Sequence, residues 1–121
     1  MSQTLTLLAG MLDLGFAVFH MLFWRLFGWP ERLEASGRTN AAITQTMNIM
    51  LTLVFVLYGG WLIHAGWTGI PAGNHVLLCG VAFGLLRSCL QPLMFGLQNG
   101  ASKAFLAMAL VATAIHAAAM S

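Results

Sequence analysis

Four long apolar stretches run through the chain, separated by three short polar ones. The first spans about residues 5–28, the second 41–64, the third 75–97 and the fourth 103–120. Each is close to the ~20 residues that an α-helix needs to cross ~30 Å of hydrocarbon. The intervening stretches carry the turn chemistry. Residues 29–40 (WPERLEASGRTN) hold Glu31, Glu34, Arg32 and Arg38, with Pro30 suited to the first turn of a short interfacial helix over 30–35. Residues 65–74 (AGWTGIPAGN) are rich in glycine and contain Pro71, and residues 98–102 (QNGAS) make a tight connection. Thr39 or Asn40 is the expected N-cap of the second span. The predicted fold is all-α, a four-transmembrane-helix bundle forming a single integral membrane domain over residues 1–121.

Within the spans the polar and small residues are not scattered. Thr6, Ala9, Asp13, Ala17, His20 and Trp24 recur at three- and four-residue steps along the first. Gln45, Asn48, Thr52 and, two turns on, Gly59 lie on a similar stripe of the second, and Gly80, Gly84, Arg87 or Ser88, and Gln91 on one of the third. The fourth offers Ala109, Thr113, His116 or Ala117, and Met120. Helices in lipid associate through close packing and interhelical hydrogen bonds, so these stripes are the expected inward faces. The remaining surfaces are Leu, Val, Phe, Ile and Met, which suits contact with acyl chains.

Composition strengthens the membrane reading. Of 121 residues 60% are hydrophobic and 7% charged, whereas soluble domains carry about 25% charged residues. A net charge of +2 gives no argument for nucleic acid. The basic residues inform on topology instead. Arg25, Arg32, Arg38 and Lys103 lie at the ends of spans on one side, and the N-terminus, second loop and C-terminus carry none. The positive-inside rule then predicts both termini on the non-cytoplasmic side of a multi-pass cell inner membrane protein. Absence of any Lys or Arg before Arg25 argues against a cleavable signal peptide, so the first span is expected to be retained. Trp24 and Trp29 are expected in the inner interfacial belt, Trp61 and Trp67 in the outer one.

The chemistry-bearing residues fall at two depths. At ~1.5 Å per residue, Asp13, Arg87 and His116 share the outer half of the membrane, while His20, Asn48 and Gln91 share a level below the midplane, with Gln45 nearby. A charged side chain at a helix centre costs about 2.5–3.5 kcal/mol on insertion scales, so Asp13 and Arg87 are each other's expected partners. The Asp13, Arg87 and His116 layer reads as a ligand, ion or proton site, with Asp13 the titrating charge, Arg87 tuning it or binding an anion, and His116 relaying protons. The alternative is an ion pair that only fixes helix order. His20, Gln45, Asn48 and Gln91 form the secondary polar layer. No catalytic group, metal or cofactor is expected. His64, His75 and His116 lack tight ligand spacing, and His20 and His116 differ in depth by roughly 10 Å, too far to share a haem. The eight Met are spread over all spans and read as packing. Cys79 and Cys89, ten residues or roughly 15 Å apart along one helix, cannot form a disulfide and are expected to be buried small residues. Pro92 removes a backbone hydrogen bond to Ser88, predicting a kink.

The stretch FHMLFWRLFGWPERLEASGRTNAAITQTMNIMLTLVF, Phe19 to Phe55, resembles small four-span bacterial inner-membrane proteins without an assigned activity. The architecture is also similar to that of the membrane-associated glutathione and eicosanoid enzymes. These are trimeric four-helix bundles whose second helix opens with Arg-Ala-x-x-Asn-x-x-Glu; here Arg38, Thr39 and Asn40 are followed by Gln45 and Asn48, and no Glu. Small multidrug transporters are similar in length and in carrying a first-helix carboxylate, a place that Asp13 takes, but theirs is Glu. Three functional readings follow. The first is ligand or ion binding or transport, and the second a non-catalytic accessory subunit. The third is a membrane enzyme on a lipophilic substrate. The expected partners are the bilayer, a second copy of the chain, and a larger membrane complex.

Overall fold

Six α-helices and one π-turn account for most of the chain in the computed structural model, which describes residues 1–120. They are α1 (Ser2–Met21), α2 (Phe23–Leu26), α3 (Glu31–Glu34), α4 (Arg38–Thr68), α5 (Asn74–Leu90) with its π-helical continuation Gln91–Phe95, and α6 (Gly100–Ala119). Four helical stretches are long and apolar enough to cross a membrane: Ser2–Met21, Arg38–Thr68, Asn74–Phe95 and Gly100–Ala119. Among the described residues there is no strand.

Several expected boundaries shift. α1 already opens at Ser2, and α4 runs on to Thr68, taking in the first four residues of the expected 65–74 turn. Three further shifts have a local reason. The first span does not run unbroken to residue 28. At Leu22 the backbone N–H is shared between the Val18 and Phe19 carbonyls (3.2 and 3.1 Å), a tightening toward 3₁₀ geometry that ends α1. The second span begins at Arg38, so Thr39 and Asn40 lie inside α4 and do not cap it. Gly37, at φ 97°, makes the left-handed turn between α3 and α4, and its carbonyl accepts the Ala41 N–H. The fourth span opens at Gly100 instead of 103, because Asn99 caps it: its side-chain oxygen accepts the Ser102 N–H at 2.7 Å. At Pro92 the helix changes pitch. After Leu90 the α-pattern widens to a π-turn, which ends at Gly96 (φ 70°), a conformation glycine adopts freely. The short helix expected over 30–35 is present as α3.

The chain divides into two compact units, Gly10–Trp61 and Met1–Ala9 with Leu62–Ser121. In the Gly10–Trp61 unit, α1 and α2 run against the first two thirds of α4 in antiparallel register. Gly59 admits the closest approach. A Cβ there would lie 2.9 Å from the Gly10 carbonyl oxygen and 3.1 Å from the Leu14 nitrogen. Further along, Phe16 and Phe55 meet at 5.7 Å between ring centroids. In the other unit, α5 and α6 form a hairpin in which Gly84 packs on Thr113, and Gly66 of α4 packs on Leu7, whose nitrogen is 2.7 Å from where a Cβ would be. Gly84 of the Gly-xxx-Gly pair is therefore used inside the chain. Its small-residue face is occupied by α6.

The predicted inward stripes are largely buried. Thr6, Ala9, Asp13, Ala17, Asn48, Gly59, Gly84, Ser88, Gln91, Ala109, Thr113 and His116 are all shielded from solvent. At the two ambiguous positions burial selects Ser88 over Arg87, which is half-buried, and His116 over Ala117. Cys79 and Cys89 are exposed, not buried. They are two residues beyond Leu77 and one beyond Ser88, roughly 200° and 100° around the helix from the buried stripe.

Candidate functional site

Hydroxyls inside an apolar helix need acceptors, and most find them in their own helix. Thr6 donates to the Ser2 carbonyl, Thr52 to Asn48, Ser88 to Gly84 and Thr113 to Ala109, at 2.7–2.8 Å. This i to i−4 back-bonding means that these residues contribute small size to the inward faces. Their expected role as hydrogen-bonding glue between helices is not what those bonds provide.

Interhelical hydrogen bonds come from amides and rings, and from the serines Ser2 and Ser102. In the Gly10–Trp61 unit, His20 and Asn48 are joined twice. The Asn48 Nδ2 donates to the His20 backbone carbonyl at 2.8 Å, and its Oδ1 lies 2.7 Å from His20 Nδ1. With Nδ2 committed as donor, Oδ1 must accept, so the His20 proton sits on Nδ1. The imidazole is half-buried between aromatic rings. It stacks on Phe55 at 5.4 Å and 25°, lies 4.5 Å from Phe23, and meets Phe19 edge-on. One turn on, Trp24 Nε1 donates to Gln45 Oε1 at 2.9 Å, and Gln45 Nε2 donates to the Ala41 carbonyl. Two members of the expected secondary layer, His20 and Asn48, are thus directly paired, with Gln45 next to them along α4. The structure also supplies participants that sequence reasoning missed. Phe55 lies seven residues from Asn48, which places it on the same helical face. Trp24 contributes an interhelical donor besides its expected place in the interfacial belt.

Gln91, the fourth expected member, belongs to the other unit. It is 2% exposed, and its Nε2 donates to Ser102 Oγ at 2.8 Å. Ser102 Oγ in turn donates to the Gly96 carbonyl. The amide oxygen of Gln91 is buried with no hydrogen-bond partner.

The expected ionisable layer is distributed as follows. Asp13, in the Gly10–Trp61 unit, is 4% exposed, and the Gly59 backbone packs on its Cβ, at 3.1 Å from where a glycine Cβ would stand. His116, in the other unit, is 2% exposed, and its Nδ1 lies 2.6 Å from the Ala112 carbonyl. A carbonyl only accepts, so Nδ1 carries the proton and Nε2 is the nitrogen through which the ring gains or loses one. Arg87, in that same unit, holds its guanidinium 5.5 Å over the Phe95 ring, a cation–π geometry. Both buried ionisable groups lie on apolar helices, where an uncompensated charge is expensive.

That unit also contains a cavity of about 430 Å3, bordered by Ser2, Thr6, Ala72, Asn74, Leu77 and Ala119 among others. Its lining is neutral, and Ser2 Oγ donates across it to the Ala119 carbonyl at 2.8 Å. Among the described residues, no three His, Cys, Asp or Glu side chains are grouped to hold a metal ion. No protein-family model matches the chain, and no curated protein or solved structure matches it either.

Proposed function

We propose that the chain is a multi-pass inner-membrane protein that binds or transports a small ligand or ion through an intramembrane polar layer of Asp13, Arg87 and His116. The observation that carries this reading is the burial of Asp13, at 4% exposure, on a helix otherwise fit for lipid. Intramembrane carboxylates are costly and tend to be functional. Counted along the sequence at ~1.5 Å per residue, Asp13, Arg87 and His116 each fall in the outer half of their own spans, which supports this reading. In this reading Asp13 titrates, Arg87 balances its charge or receives an anion, and His116, its Nδ1 proton held by Ala112, passes protons through Nε2. The basic residues at Arg25, Arg32, Arg38 and Lys103 support a topology with both termini outside. A homo-oligomer would form through the exposed alanine face of α6, since Gly84 is engaged within the chain.

The test uses proteoliposomes containing an entrapped pH-sensitive dye, with a potassium gradient and valinomycin setting the voltage. Wild-type protein should carry proton flux above empty liposomes, and Asp13→Asn should remove it while circular dichroism stays unchanged. Flux of wild-type size from an Asp13→Asn/Arg87→Met double variant would sink the reading, as would no flux from the wild type.

A second reading, a non-catalytic accessory subunit, is favoured by one specific observation. His20 pairs with Asn48 and Trp24 with Gln45 across the helices, as residues that specify packing would. It predicts co-purification at fixed stoichiometry with a larger membrane complex. The enzymatic alternative rests on architectural resemblance alone and predicts a thermal shift with glutathione.

A further inference from the structure

A second hollow, of about 410 Å3, lies where α3 meets the start of α4, lined by Pro30, Glu34, Arg38, Ala41, Ala42 and Gln45. Its volume falls in the range of about 300–1,000 Å3 typical of small-molecule sites. Glu34 and Arg38 are four residues apart and of opposite charge, yet no ion pair joins them, and neither has another among the described residues. The reason is local. Glu34 closes α3, Arg38 opens α4, and the left-handed turn at Gly37 (φ 97°) intervenes, so the side-by-side i, i+4 geometry of a continuous helix is lost. One pocket thus presents a carboxylate and a guanidinium, each available to a ligand. Between them Ala41 and Ala42 leave room where longer side chains would fill it. Gln45 already uses its oxygen on Trp24 and one N–H on Ala41, leaving its second N–H as a donor.

We infer that this pocket holds the headgroup of a zwitterionic phospholipid bearing a primary ammonium, a phosphatidylethanolamine. Arg38 presents the planar fork that suits a phosphate. Glu34 suits an ammonium with N–H donors, which a phosphatidylcholine lacks. A phosphatidylglycerol would leave the Glu34 carboxylate facing no cation. The place in the fold suits it, because Arg38 opens α4, a helix long and apolar enough to cross a membrane, and the end of a span is where headgroups lie, with acyl chains alongside the helix. The remaining Gln45 N–H is available to an ester carbonyl. This inference concerns a different site from the Asp13 layer and stands independently of it.

The experiment reconstitutes the protein in nanodiscs of equal parts phosphatidylethanolamine, phosphatidylglycerol and phosphatidylcholine, then releases it into detergent and identifies retained lipid by native mass spectrometry. Phosphatidylethanolamine should be retained roughly tenfold over the other two, about what one charge-assisted hydrogen bond provides. Glu34→Gln should erase that preference, Arg38→Gln should lower retention of every phospholipid, and Ala42→Phe should block the pocket with both charges intact. All three positions are exposed, so the variants are expected to fold. Equal retention of the three lipids by the wild type, or an unchanged preference in Glu34→Gln, overturns the inference. Displacement by millimolar soluble glycerophosphoethanolamine would overturn the lipid assignment in favour of a free zwitterion.

Discussion

Asn48 grips His20 at both ends of one residue, donating to its backbone carbonyl at 2.8 Å and accepting from its ring nitrogen at 2.7 Å. This pair of hydrogen bonds between α1 and α4 holds the imidazole flat against Phe55 and settles which nitrogen carries the proton. A ring held this way is a packing element first, and its removal should be read in stability.

Asn48→Leu should therefore destabilise the protein by about 1–2 kcal/mol. Interhelical hydrogen bonds in membranes average about 0.6 kcal/mol each with a maximum near 1.7, and two are lost here. Asn48→Asp keeps the acceptor but loses the donation to the His20 carbonyl. Denaturation followed in mixed micelles measures both, and nitrogen NMR of labelled histidine should show His20 protonated at Nδ1 in the wild type. A His20 proton on Nε2 alone would show the amide to be turned the other way.

Gly59 and Gly60 are adjacent but should respond oppositely to alanine. A Cβ at Gly59 meets backbone, the Gly10 carbonyl oxygen at 2.9 Å and the Leu14 nitrogen at 3.1 Å, whereas one at Gly60 meets nothing within 4 Å. Backbone cannot rotate away as a side chain can, so Gly59→Ala should cost about 1–3 kcal/mol through forced separation of the helices. Gly60→Ala should be neutral or slightly stabilising, since alanine is the better helix former. Equal unfolding midpoints for the two variants would show that α1 and α4 do not approach as closely as described.

Gly84 and Thr113 offer a test by compensation. A Cβ at Gly84 falls on Thr113 Oγ1, which is anchored by its bond to the Ala109 carbonyl and so resists turning away. Gly84→Ala alone should destabilise the α5–α6 hairpin, and Thr113→Ala alone should cost little, because the bond lost lies within α6. The Gly84→Ala/Thr113→Ala pair should recover most of the loss. A double-mutant cycle read from unfolding midpoints should give a favourable coupling of about 0.5–3 kcal/mol. Additive costs would deny the contact.

How far these relationships were legible in the sequence follows from periodicity. The four apolar spans and their buried stripes could be read directly, because a 3.6-residue repeat sets both. That is why Asp13, Asn48, Gln91 and His116 were expected to point inward, as they do. What the repeat does not carry is the partner of each polar atom. Thr6, Thr52 and Thr113 looked the same as Asn48 in the pattern, yet a short hydroxyl reaches its own i−4 carbonyl while an amide reaches across to the next helix. Helix ends were also obscure. Asn99 caps α6 only because its side chain folds back on Ser102, and Thr39, an equally good cap by type, is swallowed by α4. The exposure of Cys79 and Cys89 was readable in principle, being a matter of angle from Leu77 and Ser88 and not of residue type.

Gln91 and Ser102 supply the last test, which turns on an asymmetry of buried polar groups. Gln91 Nε2 donates to Ser102 Oγ, while its oxygen is buried without a partner. Ser102→Ala would leave the whole amide stranded at 2% exposure, and the desolvation cost of an orphaned group is about 1–3 kcal/mol. Gln91→Met, similar in shape and apolar, removes the donor together with the oxygen that already lacks a partner. It leaves Ser102 bonded to the Gly96 carbonyl. The single Gln91→Met variant should thus be neutral or stabilising, and Ser102→Ala should be the more damaging of the two. Adding Gln91→Met to Ser102→Ala should recover stability, since no amide is then left unpaired. Unfolding midpoints in mixed micelles decide the order. A Gln91→Met variant less stable than Ser102→Ala would mean that the amide oxygen makes a bond of its own and that the π-turn is organised around it.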